Sequence, residues 1–116
     1  MKEIMITVKP ADLVGIMSGI VGSVLYRSRP KFEPPYRCYV YCAGGRGKEL
    51  VSETKVVVGE FICDKVEKSE EGDFYYWHIT NFKKYETPKK PYEFTSPSKI
   101  GNCIAPTNWA YVEAKR

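Results

Sequence analysis

KEIMITVKPADLVGIMSGIVGSVLYRSR, residues 2–29, changes its hydrophobic rhythm twice, and those changes decide the fold. KEIMITVK alternates apolar and polar residues as a strand does. Pro10 suits the first turn of a helix, and Asp12 in that turn complements the helix dipole. Leu13, Val14, Ile16, Met17 and Ile20 then recur at helical spacing, which predicts a short amphipathic helix over 10–19. Gly19 and Gly22 punctuate its end, and SVLYRSR (23–29) returns to strand character before Pro30. A strand, one early helix and a second strand open the chain.

Further along, PKFEPPY is a proline-rich connection, RCYVYCA (37–43) a third strand and GGRGKE (44–49) a basic, glycine-rich turn. KVVVGEFICDKVEK (55–68) reads as one long apolar strand bent at Gly59. FYYWHITNF (74–82) reads as another, KKYETPKKPYEF as a loop with an extended piece, and NWAYVEA (108–114) as the closing strand. SPSKIGNCIAPT is irregular. One helix among five or six strands predicts an α+β fold, a small β-barrel in a single domain spanning 1–116.

With 116 residues there is no room for separate catalytic and binding domains. Apolar residues at 43% and charged residues at 28% exclude a disordered tail protein. Apolar runs are short, and Glu3, Lys9 and Pro10 interrupt the place where a secretory segment needs apolar residues. The expectation is a soluble, cytoplasmic protein without a membrane partner.

The charge is uneven. Residues 9–48 hold Lys9, Arg27, Arg29, Lys31, Arg37, Arg46 and Lys48 against Asp12 and Glu33, which is +5 in a chain of net charge +4. Such a segment points to an anionic partner, a nucleotide-type small molecule or RNA, or else to a solvated surface. Cys38 and Cys42, four apart in a strand, stand about 13 Å from each other at roughly 3.3 Å per residue, too far for one tetrahedral metal. With Cys63 and Cys103 they read as small hydrophobes. No metal and no cofactor is expected.

Several stretches together resemble a known family. IMITVKPADLVGIMSGIVGSVLYRSRP, YVYCAGGRGKEL, VVGEFICDKV, YYWHITNFKKYETPKKPYEF and APTNWAYVE resemble, in order and spacing, ASCH domains of the PUA-like superfamily, most of all the short versions common in phages and mobile elements. The resemblance implies a curved β-barrel with a helix after the first strand and a cleft lined by the next loop. It also implies RNA binding, and in some members catalysis: one branch deacylates N4-acetylcytidine, and others are described as ribonucleases. The family signature is G-x-K-x-x-E-x-R, often with Thr after the Lys. Laid on this chain from Gly19, its Lys, Thr, Glu and Arg positions hold Val21, Gly22, Val24 and Tyr26, and only Arg27, Ser28, Arg29 and Pro30 keep the trailing basic part.

Val21, Gly22 and Val24 can neither donate nor accept a proton through their side chains, so no inherited catalysis is expected. His78, the single histidine, reads as a packing residue or a general base, with Asp73 and Glu60 as candidate acidic partners; no catalytic residue is assigned. Nine Tyr, five Phe and two Trp supply rings on which bases can stack, although alternation turns about half of them inward. The candidate ligand-binding residues are Lys9, Tyr26, Arg27, Arg29, Tyr41, Arg46, Lys48, Trp77, His78, Asn108 and Trp109. Four functions are therefore expected in competition: a nucleotide-binding pocket, an RNA-binding surface, a residual nuclease or amidohydrolase, and a protein-interaction module against a host defence system.

Overall fold

A computed structural model describes residues 1–96 and 105–114. Strand β1 (Lys2–Val8) leads into helix α1 (Pro10–Ser18), followed by β2 (Ser23–Tyr26), β3 (Tyr36–Cys42), β4 (Val56–Cys63) and β5 (Val66–Lys68). Then come β6 (Tyr75–His78), β7 (Thr80–Lys89), β8 (Phe94–Thr95), β9 (Trp109–Tyr111) and β10 (Glu113–Ala114). The class is α+β: one helix and short strands in mixed sheets among the described residues.

The central sheet runs β7-β4-β3-β1-β9. β1 and β3 are parallel, so the chain must cross over between them, and α1 and β2 form that crossover. Ile4, Met5 and Ile6 are all fully buried, as befits a strand covered on both faces. On one face Ile4, Ile6, Val8, Cys38, Val40 and Phe61 pack under Leu13 and Ile16 of α1 and under Trp77. Trp77 belongs to a second sheet, β2-β6-β5. On the other face Met5, Tyr39 and Val57 meet Phe94 and Val112.

Helix α1 starts at Pro10, turns Pro10, Leu13 and Ile16 inward, and stops where Gly19 takes φ 81° and donates its N–H to Ile16 O. Nine residues make a marginal helix alone, so its packing on β1 sustains it.

Several strand expectations are corrected, among them the closing stretch 108–114, which divides at Val112 into β9 and β10 of different sheets. The 55–68 stretch divides into β4 and β5 at the polar Asp64–Lys65 pair, and 74–82 divides at Ile79 into β6 and β7. β7 continues to Lys89 through the expected loop: it is an edge strand, where charge and a proline are tolerated. The second strand ends at Tyr26, and the third is Tyr36–Cys42. The ladders number more short strands than expected and do not close into a ring among the described residues. Stretch 97–104, with Cys103, lies outside the described residues. Among those described, no helix is long and apolar enough to cross a membrane.

Cys38, Cys42 and Cys63 are buried free thiols. Burial pushes the Cys63 thiol up to about 11 and holds those of Cys38 and Cys42 above their usual value. Burial likewise raises the phenols of Tyr36, Tyr39, Tyr41 and Tyr85, with the Glu3 carboxylate adding to Tyr39 and that of Glu60 to Tyr85. The sign follows from which state keeps its protons. Above about pH 9 the unfolded chain ionises these groups first, so stability present at lower pH is lost as pH rises toward the folded values. Urea midpoints should fall between about pH 8 and about pH 10.5; an unchanged or higher midpoint contradicts this burial.

Candidate functional site

β2 is the end strand of its small sheet, and its free edge faces α1 across a cleft of about 360 Å³. Thr7 and Val8 at the end of β1 form part of the lining, Asp12 and Ile16 line the helix side, and Val21 and Ser23–Tyr26 line the strand side. The ladder phase decides what this edge offers. Ile79 donates its N–H to Gly22 O at 2.9 Å, and Val24 and Tyr26 stand opposite Trp77 and Tyr75. By antiparallel alternation, Ser23 and Leu25 therefore turn their N–H and C=O groups away from β6, toward the cleft.

Two depressions adjoin it. One, of about 270 Å³, shares Leu25 and Tyr26 with the cleft and adds Arg27, Ser28, Phe74 and Asn108. Arg27 lies over the Phe74 ring, 5.2 Å from its centre. The other, of about 540 Å³, shares Asp12 and lies between the start of α1 and the glycine-rich turn, where Lys9, Gly44, Arg46 and Gly47 line it. Gly47, at φ 88°, sits so close to the helix start that a Cβ there would stand 3.6 Å from the Ala11 nitrogen. Lys9 makes no side-chain cap on α1. The Ala11 and Asp12 N–H groups accordingly lack intrahelical acceptors and favour negative charge beside Lys9 and Arg46.

Tyr26 is the hinge of the arrangement. Its ring meets Trp77 edge-on at 5.0 Å on the core side and lines both the cleft and the first depression on the other. Burial, then the neighbouring Cys38 and Asp12, keep its phenol protonated well above the ordinary tyrosine value.

The candidate residues thus separate into groups. Tyr26, Arg27 and Asn108 share one depression, and Lys9 and Arg46 share another on the far side of Asp12. Lys48 opens the short 3-10 turn Lys48–Leu50 beside them and is exposed. Of five further candidates, Trp77 is corrected, and Trp109, Tyr41, Arg29 and His78 stand outside the three depressions. Trp77 is fully buried and offers no face to a ligand. Trp109 closes the core's edge: its ring stands 5.2 Å from Trp77, and its indole donates to Ser28 Oγ at 3.0 Å. Tyr41 packs with the opposite face of the central sheet, because β3 alternation places it with Tyr39 rather than with Val40.

Arg29 braces its own loop, with Nε donating to Pro30 O at 3.4 Å and a terminal nitrogen 3.6 Å from Glu33. His78 follows Trp77 and so turns to the outer side of the small sheet. There its Nε2 lies 3.0 Å from Glu67 Oε1, close enough to pair but not aligned as a hydrogen bond. Of the basic segment, Arg29 and Arg37 are spent on Glu33 and Glu60.

Thr7, Asp12, Ser23, Leu25 and Phe74 were not legible as site residues. Asp12 carried a signal, a first-turn carboxylate, which dipole complementarity alone accounts for. Ser23 and Leu25 contribute backbone, which no side-chain pattern announces. Among the described residues lining the central cleft, only Asp12 and Tyr26 carry titratable side chains, and no histidine, cysteine or lysine stands with them. Comparison with protein-family models, with curated proteins and with solved structures finds no match.

Proposed function

We propose that this chain is a non-catalytic binding domain for a nucleotide-type ligand, held in the cleft between α1 and β2. In this reading the central and small sheets are two walls of a PUA-like barrel of the ASCH kind. The observation that carries it is the continuity of three depressions through shared residues: Leu25 and Tyr26 join one pair and Asp12 the other. Basic groups stand at both ends, Arg27 at one and Lys9 with Arg46 at the other. Between them lie a ring face and a strand edge with unpaired hydrogen-bonding groups. A base fits the middle and a phosphate the glycine-rich end, where charge-assisted bonds are strong.

The lining supports a reading of binding without turnover. Acyl transfer or strand scission needs a nucleophile or activated water together with a positioned proton acceptor. Of the hydroxyls that line the cleft with Asp12, Thr7 donates its proton to Pro106 O at 2.6 Å, Tyr26 holds its own, and Ser23 has no histidine or lysine beside it among the described lining residues.

Equilibrium dialysis against nucleoside monophosphates and short single-stranded RNA tests this. Arg46→Ala, at an exposed position, is expected to weaken mononucleotide affinity about tenfold without lowering stability. A compact nucleotide gives a shallow salt dependence, whereas RNA tracking the basic groups gives a steep one. No binding of either by the unaltered protein contradicts the proposal.

Protein docking is a second reading, favoured by Val14, Met17 and Ile20, which leave an apolar stripe exposed at and beyond α1, Ile20 being 86% exposed. On it, a host protein is the partner, and Ile20→Glu abolishes capture while nucleotide binding persists.

A further inference from the structure

At the opposite end of β1 from the cleft lies a separate notch of about 340 Å³, with Lys2, Glu3, Phe32, Tyr111 and Glu113 in its lining. Two rings form its wall. Phe32, in the connection from β2 to β3, and Tyr111 of β9 meet edge-on, their centres 5.9 Å apart and their planes at 80°. Phe32 is 46% exposed, so core packing does not fix it. Two hydrogen bonds do: the Lys31 N–H donates to the Tyr111 hydroxyl at 2.9 Å, and the hydroxyl of buried Tyr36 donates to Phe32 O. A ring held in place while its face meets water is preorganised for contact.

A cation already rests on that ring. Lys2 Nζ lies 4.0 Å from the Phe32 centre and makes no ion pair or hydrogen bond among the described residues. Glu113 is exposed and pairs with no cation there, while the Glu3 carboxylate receives the Tyr39 hydroxyl. Two carboxylates thus stand against one ammonium beside two electron-rich ring faces. A primary ammonium on such a wall gives up water that its three N–H donors need, whereas a quaternary ammonium has no N–H to leave unmet.

From the anchored ring pair and the lysine lodged on it we infer that this notch binds a small quaternary ammonium compound, with Lys2 as the resident cation that the ligand displaces. The inference goes beyond the nucleotide-binding reading and shares no residue with that cleft. Choline is the probe, followed by NMR through the ring protons of Phe32 and Tyr111, with its neutral carbon isostere dimethylbutanol as the comparison. Choline should bind about 3- to 30-fold more tightly than the isostere, the range of a cation–π contact. Phe32→Ala should remove that preference, and Phe32→Trp, which offers a stronger cation–π face, should restore or raise it. Lys2→Met, which vacates the ring, should strengthen choline binding about threefold. Because Phe32 and Lys2 are exposed, these variants should unfold at the urea midpoint of the unaltered protein. Equal binding of choline and its isostere overturns the inference, as does a preference that survives Phe32→Ala. Weaker choline binding in Lys2→Met overturns the displacement of Lys2. None of these outcomes alters the expectation for nucleotides, which is read at the other end of β1.

Discussion

Trp77→Ala is expected to lower unfolding free energy by about 4 kcal/mol, a large share of the roughly 5–15 kcal/mol that holds a domain of this size. Trp77 is fully buried where α1, the small sheet and the central sheet converge. Its ring stands 5.0 Å from Tyr26, 5.2 Å from Trp109 and 6.2 Å from Tyr36, and its indole donates to Ser28 O at 3.4 Å. Ser28 also receives the Trp109 indole, so one serine ties both rings to the segment that leaves β2. Removing the ring opens a cavity and frees Tyr26, the cleft wall, at the same time. Urea unfolding should show the lower midpoint, and nucleotide affinity should fall with it. Trp77→Phe, which keeps a ring, should retain most of both; an unchanged midpoint in Trp77→Ala contradicts this packing.

Gly59→Ala should cost about 3 kcal/mol, for a different reason. A Cβ at Gly59 would stand 2.4 Å from Lys83 O and 3.1 Å from Phe82 Cζ. The first of these is backbone of β7, which cannot yield without breaking its ladder to β4. The close approach goes with a bulge: Tyr41 pairs Val57 while Val40 pairs Gly59, leaving Val58 without a partner on β3. Val56 and Val58 still pack on the α1 side and Val57 on the opposite side, so all three are buried in a sheet covered on both faces. Gly22→Ala is the control, because a Cβ there meets nothing within 4 Å. It should be neutral or stabilising by about 0.4–1 kcal/mol through the unfolded chain. Equal effects of the two substitutions in chemical denaturation would sink the argument.

What the amino-acid sequence reveals of this molecule tracks how local the cause is. β1, α1 and the start of β2 are legible because each shows its own period within a few residues. Gly59 is legible as a bend, since a lone glycine in an apolar run marks close backbone approach. β7 is not: Lys83, Lys84, Pro88 and Lys89 look like a loop until the partner strand is known, and an edge strand tolerates all four. The site divides in the same way. Lys9, Arg27 and Arg46 stand out as unpaired charge near turns. Trp77 and Tyr41 could not be sorted from Tyr26 by composition, because the face a ring occupies depends on strand phase. The backbone edge of β2 depends on which side β6 takes, a matter wholly of tertiary pairing.

Dialysis of nucleoside monophosphates, short single-stranded RNA and N4-acetylcytidine against the purified protein, followed by mass spectrometry of both compartments, bears on the central claim most directly. Retention of a nucleotide on the protein side, with every compound recovered chemically unaltered, is the predicted result. Even partition of all the nucleotides and the RNA, or appearance of cytidine or any other product, contradicts it.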